Sequence, residues 1–240
     1  MMEIQYDFHI HSCLSPCGDD ESTPNNIVGM AVLNGLTAIA LTDHNSCKNC
    51  PATVEAGRKN GLLVIPGMEL CTSEEAHVVC LFSSLDGAME FDKYVASRAM
   101  PVKNNPEKFG RQLILDADDH VIGQEDTLLI TAADISLEGL VEKVRTYGGG
   151  CFPAHIDKSA YSVIASLGMI PPELGFRCVE LSKSGSLDTL LAAHPYLAGM
   201  PVLRDSDAHY LWDISEGEQT LSLSTLSENA VVRFLNGEGN

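Results

Sequence analysis

At 240 residues the chain has the length of one large domain, and 45% hydrophobic residues are enough for a real core with no fibrous or low-complexity bias. A net charge of −18, with only 15 Lys and Arg, disfavours long nucleic acid as a partner, because a basic surface is needed to replace phosphate counterions. No basic leader and no run of roughly 18 apolar residues is present, which points away from membranes and toward the cytoplasm, where the eight cysteines stay reduced.

Apolar strands and helical segments alternate along the chain. "IQYDF" reads as a strand. "TPNNIVGMAVLNG" reads as a helix with Thr23 as its cap, Pro24 in its first turn and Gly35 after its end. "TAIALTDH" is a strand, "PATVEAGRKNG" a helix ending at Gly61, and "LLVIPGMEL" and "AHVVCLF" are strands. "LDGAMEFDKYVASRA" is a helix, and "SLEGLVEKVRTYGGG" another, stopped by three glycines. "CFPAHID", "FRCVELS" and "MPVLRDSDAH" read as strands with trailing loops, "QTLSLST" as a short strand, and "SENAVVRFLN" as a last helix.

This order predicts an α/β protein whose parallel strands are covered on both faces. About seven such units over the whole chain favour one closed barrel domain, residues 1–240, over an open sheet. No G-x-G-x-x-G or Walker fingerprint stands at a strand-to-helix turn. Residues 101–131 break the rhythm and read as an inserted β-hairpin, either a surface decoration or a lid over one end of the barrel.

Histidines mark the site. His9 and His11 are two apart on the first strand and so share a face, a pair that can chelate one Zn²⁺ or Mn²⁺ or can simply be two hydrogen-bonded core side chains. "DSDAH" repeats the spacing with Asp207 and His209, and "TDH" sets Asp43 beside His44. Glu69 ends an apolar strand, where a buried carboxylate needs a partner and could bridge two ions. His44, His155 and His209 also follow strands, the place where barrel active sites form, whereas His77 opens its strand and breaks the pattern. Oxygen and imidazole donors in this number suit an open, catalytic, multinuclear site better than a closed structural zinc site. His120 reads as a loop residue and His194 as a helix-end residue.

Taken together, "DFHIHSCLSP", "GLTAIALTDHNS", "VIPGMEL", "AHVVCLF", "PAHID" and "DSDAH" resemble, in order and spacing, the motifs of the polymerase and histidinol phosphatase (PHP) family. The resemblance implies a distorted seven-stranded, TIM-like β/α barrel with three divalent ions (zinc, manganese or iron) at the strand ends. It assigns His9, His11, Glu69 and Asp207 to the first ion, and Glu69, His77 and His155 to the second. His44 and His209 would hold the third with a residue of the first loop. No histidine lies between Ser12 and Asp43, so Asp19 is the expected ligand there and Asp20 the second choice. That departure points to the subgroup resembling small-molecule phosphatases and nucleotide phosphoesterases, and away from histidinol phosphatases. The implied reaction is hydrolysis of a phosphate ester of a small metabolite or nucleotide by metal-bound hydroxide, with Glu69, Asp207, His209 and Lys158 as the catalytic set. Lys158 is either a phosphate contact or a surface lysine, and Arg111, Arg177 and Arg204 are weaker candidates for that contact.

Two other functions fit some of the residues. An amidohydrolase also uses H-x-H on a first strand, but commonly bridges its metals with a carboxylated lysine where this chain has Glu69. A regulatory metal-binding module would be expected to lack some of these ligands. Cys13, Cys17 and the "CKNC" pair Cys47 and Cys50 lie in two loops expected at one end of the barrel, where they form either a metal or redox group or four reduced thiols. Cys71, Cys80, Cys151 and Cys178 read as core residues, and oligomeric state is left open.

Overall fold

The computed structural model describes residues 1–238. Its elements in chain order are β1 (Met2–Ile10), α1 (Pro24–Leu33), β2 (Ala38–Leu41), α2 (Cys50–Asn60), β3 (Leu63–Cys71), β4 (His77–Phe82) and α3 (Leu85–Ala96). These are followed by α4 (Pro106–Phe109), β5 (Leu113–Leu115), β6 (Val121–Gln124), α5 (Leu140–Thr146), β7 (Gly149–Pro153) and α6 (Val163–Leu167). The last are β8 (Val179–Glu180), α7 (Leu187–Ala193), β9 (Val202–Leu203), β10 (Thr220–Leu223) and α8 (Glu228–Leu235). Local chemistry sets the ends. The Thr23 hydroxyl accepts from Asn26 N at the start of α1, and Gly61 closes α2 in the left-handed region at φ 71°. Among the described residues no helix is long and apolar enough to cross a membrane.

Six strands form the main sheet in the order β10-β1-β2-β3-β4-β7. β8 and β9 form a short parallel pair. That pair meets both ends of the sheet's curl: Ile156 N, just past β7, donates to Glu180 O, and Ala208 bridges Ile10 of β1. The result is a mixed α/β fold with a curled, half-barrel sheet. One apolar layer lies between the strands and α1, α2 and α3 (Ile27, Ile39, Met68, Phe91), and another under α8 (Phe8, Ile65, Phe152, Val231).

The expectation of an all-parallel barrel is corrected. Only β1–β2 and β2–β3 are parallel in the main sheet, while β3–β4, β4–β7 and β1–β10 are antiparallel. The reason lies in residues 72–76, which are too few for a crossover and turn the chain straight back, with Glu75 at φ 56°. This also explains the misplaced histidine. Cys71 pairs with His77, so the start of β4 lies at the same end of the sheet as the finish of β3.

Two further readings change. Only Gly148 (φ 73°) belongs to the turn after α5, while Gly149 and Gly150 open β7. A Cβ on Gly149 would come within 2.7 Å of Val144 Cγ1, and one on Gly150 within 2.9 Å of Leu235 Cβ, so these glycines allow β7 to pack closely under two helices. The strands read in "FRCVELS" and "MPVLRDSDAH" shrink to two residues each, β8 and β9. Within residues 101–131, β5 and β6 pair antiparallel. This ribbon is stitched to the first two loops through Leu113 N to Cys13 O, Asn49 Nδ2 to Leu113 O and a Lys48–Glu125 ion pair.

Candidate metal centre

The centre is built on Glu69, a fully buried carboxylate on β3. Five imidazoles approach it: His77 Nδ1 at 2.8 Å, His44 Nδ1 at 2.9 Å, His155 Nε2 at 3.1 Å, His9 Nε2 at 3.2 Å and His11 Nε2 at 3.4 Å. Asp207 Oδ1 lies 3.5 Å from His9 Nε2 and 3.4 Å from His11 Nε2. The ring of His209 stacks on His11 with centroids 4.2 Å apart.

The backs of two rings are held by the protein. His9 Nδ1 lies 3.0 and 3.1 Å from the two oxygens of Glu180, which accept, so Nδ1 carries a proton and Nε2 is the nitrogen turned to Glu69. His11 Nδ1 donates to Ser15 Oγ at 2.9 Å, and that hydroxyl donates to Asp43 Oδ1 at 2.7 Å. Ser15 Oγ also accepts from His44 N. Asp43 thus orients His11 from behind.

Charge is unevenly shared. Burial works against ionisation of Glu69, but His77, His9 and His44 hold its carboxyl well below the usual range. Burial pulls His77 down, and Glu69 overcomes this and pushes it up to about 10. His9 is likewise pulled down by burial but held well above its ordinary value, chiefly by Glu180 and Glu69. His11 is pushed well below by burial and by its neighbours His209 and His44.

The residues fit divalent cations. His9 Nε2, His11 Nε2, His44 Nδ1, His77 Nε2, His155 Nδ1 and Glu69 Oε2 are buried without a hydrogen-bond partner. That is a costly arrangement for six polar atoms unless a cation lies among them. Three groups have donor atoms within 4.8 Å of one another: His9–His11–Glu69–Asp207, His44–Glu69–His77 and His11–His44–His209. The imidazole and carboxylate donors suit zinc, manganese or iron. Strain is concentrated here too, with His155 at φ 28° and Asp207 at φ 53°.

Seven of the nine expected metal ligands fall in these three groups, and His155, 3.1 Å from Glu69, touches the cluster without joining one. Asp19 stands apart. Its backbone N donates to His209 O at 3.0 Å, but its carboxylate accepts from Glu21 N and joins none of the three groups. Asp20 is exposed and paired with Arg111 at 2.6 Å, which also ties up that arginine. Lys158 Nζ reaches Asp207 Oδ2 at 2.5 Å on the rim of a cleft of about 190 Å³ that Cys17, Ile130 and Tyr161 help to line. Burial pulls the Lys158 ammonium pKa down, and Asp207 holds it above its usual value. Arg177 is exposed, and Arg204 Nη1 donates to Ser182 O. His120 is exposed beside Asp116, and His194 caps α7.

No cysteine joins a metal-ligand group among the described residues. Cys47 and Cys50 both donate to Gly67 O, at 3.2 and 3.4 Å, and burial pushes the Cys13 thiol up to about 12. Cys17 is exposed. Two residues behind the ligands, Ser15 and Glu180, escaped sequence reasoning. Glu180 did carry a signal, since it ends the apolar run "RCVE" much as Glu69 ends "IPGME".

A family model described as PHP domain matches residues 7–158. A PolC-type DNA polymerase III from Streptococcus mutans is 32% identical over 93 residues, 39% of this chain. The match covers only 6% of that polymerase, so the chain spans a small part of its length. Endonuclease Q from Pyrococcus furiosus superposes with a TM-score of 0.70 at 19% identity, covering 100% of this chain and 57% of the endonuclease. A further endonuclease Q structure, with a 27-mer duplex bearing an abasic lesion at the active site, also gives 0.70, at 20% identity and covering 100% of this chain and 58% of that one. A protein assigned as a metal-dependent phosphoesterase from Bifidobacterium adolescentis gives 0.58 at 18% identity, covering 98% of this chain and 96% of its own.

The duplex complex corrects the expectation of a small substrate with long nucleic acid set aside. Endonuclease Q, part of which superposes on all of this chain, binds duplex DNA, so a global charge of −18 does not decide the matter. Net charge is a sum over the whole surface, whereas a phosphate ester responds to the local field, which bound dications dominate.

Proposed function

The chain belongs to the PHP family of metal-dependent hydrolases, and from that premise we propose that it is a phosphoesterase that cleaves phosphate esters at a centre of up to three metal ions. The whole chain serves as one catalytic unit, with the strands closing as a distorted barrel around Glu69. The observation that carries this reading is the cluster of five imidazoles packed around the buried Glu69 carboxylate, with five ring nitrogens and Glu69 Oε2 left without a hydrogen-bond partner.

In this reading His9, His11, Glu69 and Asp207 hold the first ion, and Glu69 with His77 and His155 the second. His44 and His209 hold the third, with Asp19 in reserve. The third position is the weakest, because His11 has one free lone pair and stands in both the first and third groups. Bound dications supply Lewis acidity and lower the pKa of a water for in-line attack on phosphorus.

The protein's own groups do the rest. Glu69 and Asp207 keep negative charge among the ions, so their separation survives mutual repulsion. Lys158, beside Asp207 on the rim, binds a phosphoryl oxygen. His209, the most exposed imidazole of the centre, frames the side from which the leaving group departs.

The test uses purified protein with its metals measured and with Mn²⁺ or Zn²⁺ supplied. Substrates are p-nitrophenyl phosphate, its bis ester, a nucleotide panel, an oligonucleotide duplex with an abasic site, and an amide. Phosphate release or strand cleavage that disappears in His9→Ala and Glu69→Ala is the expected result. Activity unchanged in both variants, or confined to the amide, refutes the reading.

A further inference from the structure

We infer that Glu180 is a positioning residue that couples the first and second metal positions, holding His9 with its carboxylate and the backbone at His155 with the same group. It stands at the end of β8, only 1% exposed, and belongs to none of the three candidate ligand groups. Both of its oxygens lie within 3.1 Å of His9 Nδ1, and among the described residues no other hydrogen-bond acceptor reaches that nitrogen. Its Oε2 also accepts from His155 N at 2.8 Å, and its carbonyl accepts from Ile156 N at 2.9 Å.

The two jobs differ in kind. At His9, a carboxylate on Nδ1 fixes the tautomer, aims the ring and makes the opposite nitrogen a better donor. At His155 the carboxylate acts on the main chain. His155 adopts φ 28°, a strained conformation for a non-glycine residue that persists only where surroundings enforce it. Glu180 enforces it with two consecutive amide hydrogen bonds, from His155 N to the side chain and from Ile156 N to the backbone oxygen. One side chain therefore sets the ring of a first-position ligand and the placement of a second-position ligand. Its loss is felt at both positions together, unlike the loss of a single ligand.

This inference rests on the metal-centre reading above, and the experiment separates the two. Metal-free wild type, Glu180→Met, Glu180→Gln and His9→Ala are titrated with Mn²⁺ by calorimetry, and retained metal is counted after dialysis. Long-range ¹H–¹⁵N NMR of the metal-free proteins, recorded at a pH high enough to leave His9 neutral, reports the histidine tautomers. Glu180→Met keeps the volume but cannot accept, and is expected to lose ~10–100-fold in affinity at both positions and to show a mixed His9 tautomer. In Glu180→Gln a single amide oxygen placed where Oε2 now lies serves both N–H groups, while the NH₂ stands where Oε1 lies, 3.0 Å from His9 Nδ1–H, so an affinity loss of less than tenfold and an unchanged Nδ1–H tautomer are expected.

Wild-type affinity in Glu180→Met overturns the inference, as does a tenfold or greater loss in a folded Glu180→Gln. If Glu180→Met does not fold without metal, the Gln variant decides alone. Should His9→Ala leave metal binding untouched, the metal-centre reading itself fails. Should it strip metal while both Glu180 variants bind normally, only the role of Glu180 fails.

Discussion

Replacing Asp43 separates orientation of a ligand from ligation. Its carboxylate, 1% exposed, accepts Ser12 N, Ser12 Oγ and Ser15 Oγ, each at 2.7 Å. In Asp43→Ala the Ser12 amide is left buried without an acceptor, at about 1–3 kcal/mol, and two hydroxyls lose a charged acceptor. Against this stands the cost of burying the carboxylate, visible as a pKa raised mainly by desolvation. The balance is a loss of about 2–4 kcal/mol in the metal-free protein.

Asp43→Asn retains an oxygen where Oδ1 lies and so keeps two of the three bonds. Its NH₂ group then meets Ser12 Oγ, which already accepts Asn49 Nδ2 and Leu14 N, so the expected loss is about 1–2 kcal/mol. Because Ser15 still bridges to His11 in the Asn variant, metal affinity stays near wild type, whereas Asp43→Ala frees Ser15 and costs ~10–100-fold. Urea denaturation in EDTA gives the stabilities, and Mn²⁺ calorimetry the affinities. An Ala variant within about 0.5 kcal/mol of wild type, or an Asn variant worse than Ala, refutes the network.

Other outcomes follow from the same geometry. In the metal-free protein His77 is raised to about 10 from an unfolded value near 6.5, and His9 is raised too. Such groups add stability below the unfolded value and lose it as pH climbs, so metal-free stability should fall from pH 7 toward 10 while Mn²⁺ affinity rises. Denaturation and calorimetry at pH 7 and 9 should therefore show opposite slopes, with proton release on binding; parallel slopes contradict the charge assignment. Saturating metal at a hundredfold excess over Kd should add about 2.7 kcal/mol, a Tm rise of ~5–10 °C reversed by EDTA in differential scanning fluorimetry. Gly67→Ala puts a Cβ 2.6 Å from Cys80 O, two residues before Glu69, and should cost about 1–3 kcal/mol by urea denaturation. Lys158→Met should leave metal content unchanged and lower kcat/KM for phosphate esters by ~10–100-fold; an unaltered rate removes Lys158 from substrate binding.

How far the chain can be read without coordinates depends on the range of each interaction. β1, β2 and β3 are buried along most of their length, so their apolar runs are visible in any short window. The direction of β4 is not, since an apolar strand reads alike either way; only the short turn at residues 72–76 betrays it. The position of His77 at the start of its strand was the trace of that reversal. β8 and β9 owe their extent to partners rather than to their own pattern, and so the sequence alone makes them look longer than two residues each.

The same limit applies to the site. Ligands that end strands announce themselves by a polar residue after an apolar run, which is why Glu69 and Asp207 stand out. Groups that hold the ligands have no such address, because the Glu180–His9 contact spans 171 positions and the Asp43–Ser15 contact 28. Asp19 shows the limit from the other side: its backbone N pairs with His209 O, while Oδ1 of its carboxylate accepts from Glu21 N, a local contact that chain position alone does not reveal. Net charge fails for a related reason: it sums every carboxylate equally, including Glu69, whose charge His77 and His9 already offset in the absence of any metal. What a phosphate ester meets is decided within a few ångströms of Glu69, where the protein has spaced its imidazoles to receive cations and holds two of them from behind by buried carboxylates.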